Sequence, residues 1–198
     1  MKMRMNQNYY RWYALLVRTR FEKMVALHVG KKGFEEYLPM YRTARQWSDR
    51  VKQTEVPLFP GYVFCKFDIN ERLPLLMIPG VMSVVSFGGA PFAIPEPEIR
   101  AVQEVVASGL NYEPWPFSSI GQPVQVKFGP LKGLEGLIVE VKKNCHLVIS
   151  VTLLNRSVSV EIDRDSVAPI RQSAPIRTEL IRSSGKSRET IHFSGFRS

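Results

Sequence analysis

The pattern of hydrophobic and polar positions changes character near residue 118. Before it, stretches of strand and helix periodicity alternate, and one helix is predicted to begin at the capping box Thr19–Glu22 and to stop at Gly33. Further helices are predicted behind Asn70 and from Pro97 to Gly109, with strands at 10–17, 36–40, 55–67, 81–87 and 91–94. This order predicts an α+β unit in which helices pack on a mostly antiparallel sheet.

Five short β runs follow between residues 119 and 170, separated by turn residues such as Gly129-Pro130 and Asn155-Arg156. Five strands in so short a stretch are typical of a small SH3-like barrel. We therefore expect an α+β unit at 10–108, a linker at 109–118 that contains two prolines, and a five-stranded barrel at 119–170. Residues 1–9 and the Ser- and Arg-rich residues 171–198 are predicted to be disordered.

Two stretches of the first unit depart from a simple core pattern. The segment 42–53 is polar and lacks core periodicity, which predicts an exposed loop or a projecting hairpin. The run Tyr62–Phe67 (YVFCKF) carries aromatic residues on both faces, because side chains alternate along a strand. Such a strand is covered on both faces, or it presents one face to a partner.

The net charge of +9 is unevenly distributed along the chain. Residues 1–66 carry +8, residues 67–118 carry −4, and residues 171–198 carry +4. A basic segment beside an acidic one suggests one surface for nucleic acid and another for a different partner. The alternative is a solvated surface whose asymmetry arose by chance.

Catalytic and metal-binding constellations are missing from the sequence. The three histidines are scattered, and neither a phosphate-binding loop nor a nucleophile elbow occurs. Cys65 and Cys145 do not have the spacing of zinc ligands, and no apolar run approaches the roughly 18 residues of a membrane span. The sequence therefore predicts a cytoplasmic, non-enzymatic protein without cofactor or metal, and nothing in it indicates an oligomer.

Two motifs are the most informative: PLFPGYVF at 57–64 and the glycine-rich GPLKGLEG at 129–136. Together with Trp12-Tyr13, the capped helix, Pro79-Gly80-Val81 and Phe87-Gly88-Gly89, in this order, they resemble NusG-type transcription factors. Such factors have an N-terminal NGN domain and a C-terminal KOW domain, and the resemblance covers about residues 10–170. The stretch RQWSDR at 45–50 is more similar to the specialised UpxY and RfaH type of antiterminator.

The resemblance implies an elongation or antitermination factor that docks on the clamp helices of the largest RNA polymerase subunit. It would stabilise the elongating state and suppress pausing or termination. If strands 10–17 and 55–67 are neighbours, their shared face forms an exposed apolar patch for this contact; an internal core is the alternative. The residues at matching positions are Trp12, Ala14, Leu16, Phe59, Pro60, Tyr62 and Phe64.

Contacts to upstream or non-template DNA are implied for basic residues near this patch and on the polar segment. They are Arg18, Arg20, Arg42, Arg45, Arg50 and Lys52, and the alternative for them is a solvated loop. Trp47 could stack on an unpaired base or anchor the hairpin.

The KOW domain is expected to recruit a ribosomal protein or the termination factor Rho through the turn Leu153, Leu154, Asn155 and Arg156. Leu154 stands where the general factor has an aromatic residue, a departure that a specialised factor would tolerate. An RNA-binding protein of the ribosome or its assembly is the alternative function, because KOW-type barrels occur there too. Whether the role is general or operon-specific stays open.

Overall fold

The computed structural model describes residues 9–46, 51–116, 121–141 and 144–170. Disorder is predicted for residues 1–9 and 171–198, and all of them except residue 9 lie outside the described ranges. Trp47 and Arg50 also lie outside these ranges. No helix among the described residues has the length and apolar character that a membrane crossing requires. The predicted α+β fold with a C-terminal barrel is confirmed.

The first half of the chain builds a four-stranded sheet. Its strands are β1 (Arg11–Val17), β2 (Glu35–Tyr37), β5 (Tyr62–Phe67) and β6 (Val81–Val84), in the order β2-β5-β1-β6. All three pairings are antiparallel. β1 and β5, the two most apolar strands, occupy the centre, where both of their faces can be covered. We call this sheet and its helices the sheet unit.

The sheet is covered by helices on both faces. Helix α1 (Glu22–Lys31) buries Val25, Ala26 and Val29 in one apolar cluster, together with Leu75 of the short α2 (Leu73–Leu76). Helix α3 (Glu96–Ala107) belongs to the cluster on the opposite face. Proline at the start of α2 and of α3 fits the first helical turn, where its missing N–H has no intrahelical partner to lose.

The polar segment forms a two-stranded hairpin of its own. Its strands are β3 (Met40–Gln46) and β4 (Val51–Pro57), which pair only with each other among the described strands. A second small hairpin, β7 (Ser86–Phe87) and β8 (Ala90–Pro91), turns at the glycine pair that the sequence indicated. The prediction of a projecting hairpin at 42–53 agrees with this pairing.

The second half of the chain contains the five predicted barrel strands. They are β10 (Gln122–Val126), β11 (Glu135–Val141), β12 (Asn144–Val151), β13 (Arg156–Ile162) and β14 (Val167–Pro169). A sixth strand, β9 (Tyr112–Pro116), extends the sheet to the order β14-β10-β11-β12-β13-β9. We call strands β9–β14 the barrel.

Strand β9 lies within the stretch that was predicted to be a linker. It pairs with β13, and Pro114 and Pro116 stand opposite Val158 and Arg156. Prolines two residues apart both lie on the same hydrogen-bonding edge of a strand, so their missing donors can both point away from β13. Because β9 is an edge strand, it tolerates the two prolines. The same prolines are the reason that the sequence predicts a linker here and not a strand.

Two local predictions about helix ends were wrong. Phe21 is the N-cap of α1 and makes no side-chain capping bond, so the Thr19–Glu22 capping box does not form. Likewise Asn70 does not cap a helix: the Asp68 carboxylate accepts a hydrogen bond from the Asn70 amide and caps a short 3-10 turn. In both places a carboxylate finds a partner other than the one that sequence spacing suggested.

Candidate functional site

The face predicted for partner binding is formed by β1 and β5, which are direct neighbours. Ala14 lies opposite Phe64 and Leu16 opposite Tyr62, with Trp12 opposite Lys66. Because side chains two apart share a face, the predicted residues of the two strands lie on the same side of the sheet. The neighbour relation on which the patch prediction depended is therefore present.

The patch is largely covered, contrary to the expectation that it would be exposed. Trp12, Ala14, Phe59 and Phe64 are at most 3% exposed. Only Leu16 and Tyr62, which are half-buried, and Pro60, which is exposed, reach the surface. The alternative of an internal core is thus correct for four of the seven residues.

Helix α3 contributes to this burial. Its residues Ile99, Val102 and Val105 are in the same apolar cluster as Trp12 and Phe64. Helix α3 also contacts barrel strand β12, and the cluster continues into the barrel core. The sequence showed the apolar stripe of α3, but a stripe does not tell which sheet face it covers.

Aromatic packing fixes the base of the patch. The Phe64 ring meets Phe59 edge-on, with centroids 5.5 Å apart, and stacks on Tyr37 at 6.3 Å. The Lys66 ammonium lies 5.8 Å from the centre of the Trp12 ring and 3.1 Å from a Glu96 carboxylate oxygen. These contacts hold the buried side chains in place beneath the surface residues Pro60 and Tyr62.

The turn Phe59–Tyr62, which we call the FPGY turn, joins the hairpin to β5. Tyr62 N–H donates to the Phe59 carbonyl at 3.2 Å, and Gly61 has φ +85°, a conformation that favours glycine. The Gly61 carbonyl accepts from the Val17 amide at 2.8 Å, and the Gly61 amide donates to Glu22 Oε1 at 2.9 Å. The turn is therefore tied to both β1 and α1.

Two of the predicted DNA-contacting residues lie next to this turn. Arg18 and Arg20 are exposed and directly follow Val17, whose amide bonds to Gly61. The Arg18 amide donates to the Gly80 carbonyl at 2.8 Å, and Arg20 has φ 73°, which is uncommon for a residue other than glycine. Both residues thus follow β1 at the end where that strand is bonded to the FPGY turn.

The other predicted DNA contacts belong to the hairpin. Arg42 faces Glu55 across the strands, and their side chains approach to 3.4 Å. The register places Arg45 opposite Lys52. Arg50 lies outside the described residues.

The barrel turn with the four predicted partner-binding residues contacts the sheet unit. Leu154 is 7% exposed, Leu153 is half-buried, and Asn155 and Arg156 are exposed. The Thr152 amide, at the start of this turn, donates to Glu98 Oε2 of α3 at 3.0 Å. We call residues 152–156 the barrel tip.

A second bond links the two units on another side. The Tyr112 hydroxyl of β9 donates to the Met40 carbonyl at the start of β3, at 2.6 Å. Burial raises the pKa of Tyr112, and it raises the pKa of Tyr37 nearby, whose buried hydroxyl has no hydrogen-bond partner among the described residues. The barrel is thus attached through β9 as well as through its tip.

Sequence reasoning missed the three residues that make these ties. Glu22 was predicted to cap its own helix, Tyr112 was assigned to a linker, and no partner was predicted for Glu98. Their partners are 39, 54 and 72 residues away. Within the described ranges no group of three or more His, Cys, Asp or Glu side chains is arranged to hold a metal ion.

Residues 10–103 match the family model NusG, described as "Transcription termination factor nusG". The chain is 27% identical over 176 residues to the "Transcription termination/antitermination protein NusG" of Pseudomonas aeruginosa, covering 81% of this chain and 98% of that protein.

A relative of the same name from Haemophilus influenzae is 25% identical over 183 residues, covering 81% of this chain and 94% of its own length. Among solved structures, one described as "Domain interaction in Thermotoga maritima NusG" covers 84% of this chain and 100% of its own. It has 21% sequence identity and a TM-score of 0.49.

Proposed function

The chain is a NusG-type factor, and on that premise we propose that it binds elongating RNA polymerase and acts in termination or antitermination. The relatives from two bacteria carry that role in their names and are covered almost completely by the match. The observation that carries the proposal is that the family match over residues 10–103 contains the FPGY turn and the whole sheet that supports it.

The docking surface that we propose consists of the exposed part of the β1–β5 face. Leu16, Pro60 and Tyr62 would contact the clamp helices of the largest polymerase subunit. Trp12, Ala14, Phe59 and Phe64 are buried and would serve as the rigid base beneath them. A small apolar contact on a rigid base is favourable because few side-chain rotamers have to be fixed on binding.

DNA contact is proposed for Arg18 and Arg20, which flank the docking surface, and for the hairpin residues Arg42, Arg45, Arg50 and Lys52. Upstream DNA and the displaced non-template strand carry the negative charge that such residues neutralise. The contribution should weaken with added salt, because phosphate contacts release counterions. Arg42 should contribute least, since Glu55 already compensates its charge.

The domain assignment carries over as part of the proposal. Residues 10–108 would be the NGN domain, 109–118 the connection, which contains β9, and 119–170 the KOW domain. A ribosomal protein or Rho would bind at the barrel tip. Because Leu154 is buried and Thr152 is bonded to Glu98, such a partner has to displace the contact between the tip and α3.

The proposed mechanism is binding without catalysis. A protein that contacts the clamp helices and the DNA together stabilises the elongating state by its differential affinity for that state, which disfavours pausing. The proposed action takes place where transcription occurs, in the cytoplasm, and requires one copy of the chain.

A binding measurement with purified core RNA polymerase tests the proposal. We expect wild-type protein to bind and Tyr62→Ala to weaken binding by about tenfold or more, as loss of a central interface aromatic does. Phe128→Ala is the matched control, since Phe128 is an aromatic residue that is 69% exposed in the barrel.

Two results would contradict the proposal. Equal binding of polymerase by wild type and Tyr62→Ala would show that the FPGY turn is not part of the docking surface. Absence of binding to polymerase at low salt, with tight binding to structured RNA, would favour the alternative of a ribosome-associated RNA-binding protein.

A further inference from the structure

Glu22 is a buried carboxylate, although it belongs to a residue type that is seldom buried. It is 4% exposed, and it is the one charged residue among the described residues that is buried. Burial of a carboxylate is costly unless hydrogen-bond donors surround it. Glu22 lies in the first turn of α1, where free backbone amides and the helix dipole favour a negative charge.

The partner of this carboxylate is the FPGY turn. Glu22 Oε1 accepts from the Gly61 amide at 2.9 Å, while Val17 N–H donates to the Gly61 carbonyl at 2.8 Å. Both polar groups of the Gly61 peptide backbone are therefore fixed, one by a helix and one by a strand. The flanking residues Pro60 and Tyr62 cannot reorient unless one of these bonds breaks.

Helix capping does not account for Glu22. Phe21 is the N-cap residue and no side chain caps α1. The glutamate reaches across 39 positions of sequence to a glycine whose positive φ marks a tight turn. Its position serves the turn rather than the helix that it begins.

We propose that Glu22 is the positioning residue of the docking surface: its carboxylate fixes the Gly61 amide and so presents Pro60 and Tyr62 in the orientation that the polymerase helices require. This inference rests on the proposed function of that surface. The role depends on an acceptor atom at a given reach, not on a negative charge in contact with the partner.

Two substitutions separate reach from charge. Glu22→Gln keeps the side-chain length and an acceptor oxygen but is neutral, whereas Glu22→Asp keeps the charge but is one methylene too short for the 2.9 Å bond. If Glu22 positions the turn, Glu22→Gln should bind purified core RNA polymerase within about twofold of wild type, and Glu22→Asp about tenfold more weakly, a difference of about one decade in Kd.

A second readout reports on the turn itself, without polymerase. In two-dimensional NMR of the full chain, the Gly61 amide proton should keep its downfield shift in Glu22→Gln and lose it in Glu22→Asp. Its hydrogen exchange should also accelerate in Glu22→Asp, because the amide loses its acceptor. Unchanged resonances of α1 and the barrel would show that the variant is folded.

The outcomes distinguish this inference from the proposed function. Loss of polymerase binding in Glu22→Gln as large as in Glu22→Asp would overturn it, because an acceptor atom at the right reach would then not be sufficient to present the surface. An unchanged Gly61 amide in Glu22→Asp would overturn it as well. If wild type fails to bind polymerase, the proposed function fails, while the Gly61 measurement still decides whether Glu22 holds the turn.

Discussion

Two turns of the molecule are each held by a carboxylate from the first turn of a helix. Glu22 of α1 holds Gly61 in the FPGY turn, and Glu98 of α3 holds Thr152 at the barrel tip. The first carboxylate is buried and acts within one sheet unit, whereas the second is half-buried and connects two units. The same kind of hydrogen bond thus fixes the FPGY turn within the sheet unit, whereas at the barrel tip it forms a contact that can open.

The difference follows from the cost of breaking each bond. Opening the Glu22 bond separates a buried glutamate side chain from the half-buried Gly61 amide, and water reaches the buried glutamate poorly. Opening the Glu98 bond exposes both groups to water, which replaces the lost hydrogen bond. A partner can therefore compete for the barrel tip far more easily than for the FPGY turn.

The largest effect is expected when the apolar base of each turn is truncated. Phe64→Ala should lower the free energy of unfolding by about 4 kcal/mol, because Phe64 is fully buried between Phe59 and Tyr37. Leu154→Ala should cost about 2 kcal/mol, since Leu154 packs at a boundary that can partly collapse. Urea denaturation measures both losses of unfolding free energy. Equal losses would mean that the barrel tip is packed as tightly as the sheet unit.

Removal of the first carboxylate should have the next largest effect. Glu22→Ala should destabilise the chain by about 2 kcal/mol, because the Gly61 amide is left without an acceptor in a buried place. Glu22→Gln is the matched control and should recover most of this loss. A Glu22→Ala variant as stable as wild type would show that water replaces the carboxylate. The hydrogen bonds of Glu22 and Glu98 would then contribute similarly little to stability.

Removal of the second carboxylate should cost little stability but change the contact between units. Glu98→Ala should lower the free energy of unfolding by about 1 kcal/mol or less, since the half-buried bond is exchanged for water. Hydrogen exchange of the Thr152 amide should accelerate. Glu96→Ala is the control, because Glu96 lies two residues away and pairs with Lys66 inside the sheet unit; acceleration there too would argue against a specific role of Glu98.

The smallest effect is a pH dependence of the barrel contact. Burial raises the pKa of Glu98 above its ordinary value, opposed by the hydrogen bond from Thr152. A raised carboxyl pKa means that the contact favours the protonated form, so its contribution is full below the ordinary pKa and declines as pH rises through the raised one. Thr152 amide exchange, corrected for its intrinsic pH dependence, should thus slow on acidification in wild type and not in Glu98→Gln. An opposite slope would show that the hydrogen bond outweighs burial.

Local patterns predicted the elements well because their causes are local. Runs of apolar and aromatic residues identified β1 and β5, and short spaced strands predicted the barrel. The same logic failed where a residue's partner is distant. The spacing of Thr19 and Glu22 suggests a capping box. The Glu22 carboxylate instead accepts a hydrogen bond from the Gly61 amide.

Exposure was also beyond the reach of the pattern. Aromatic residues on both faces of β5 left two possibilities open, and the sequence could not tell that α3 would cover the face of Phe64. The similarity to UpxY and RfaH antiterminators rests on 45–50, a stretch whose side chains the structure does not describe, and stays a prediction.

Strand β9 sets the reach of the barrel once its tip is released. While β9 stays paired with β13, only the residues between the end of α3 and Tyr112 act as a tether, a span of about 13 Å at most for four residues. Unpairing β9 lengthens the tether to all residues between the end of α3 and β10, which are fourteen residues and span about 46 Å at most. A partner held by the barrel would thus stay within a short distance of α3 while β9 is paired, and could reach more than three times as far once this proline-bearing strand separates from β13.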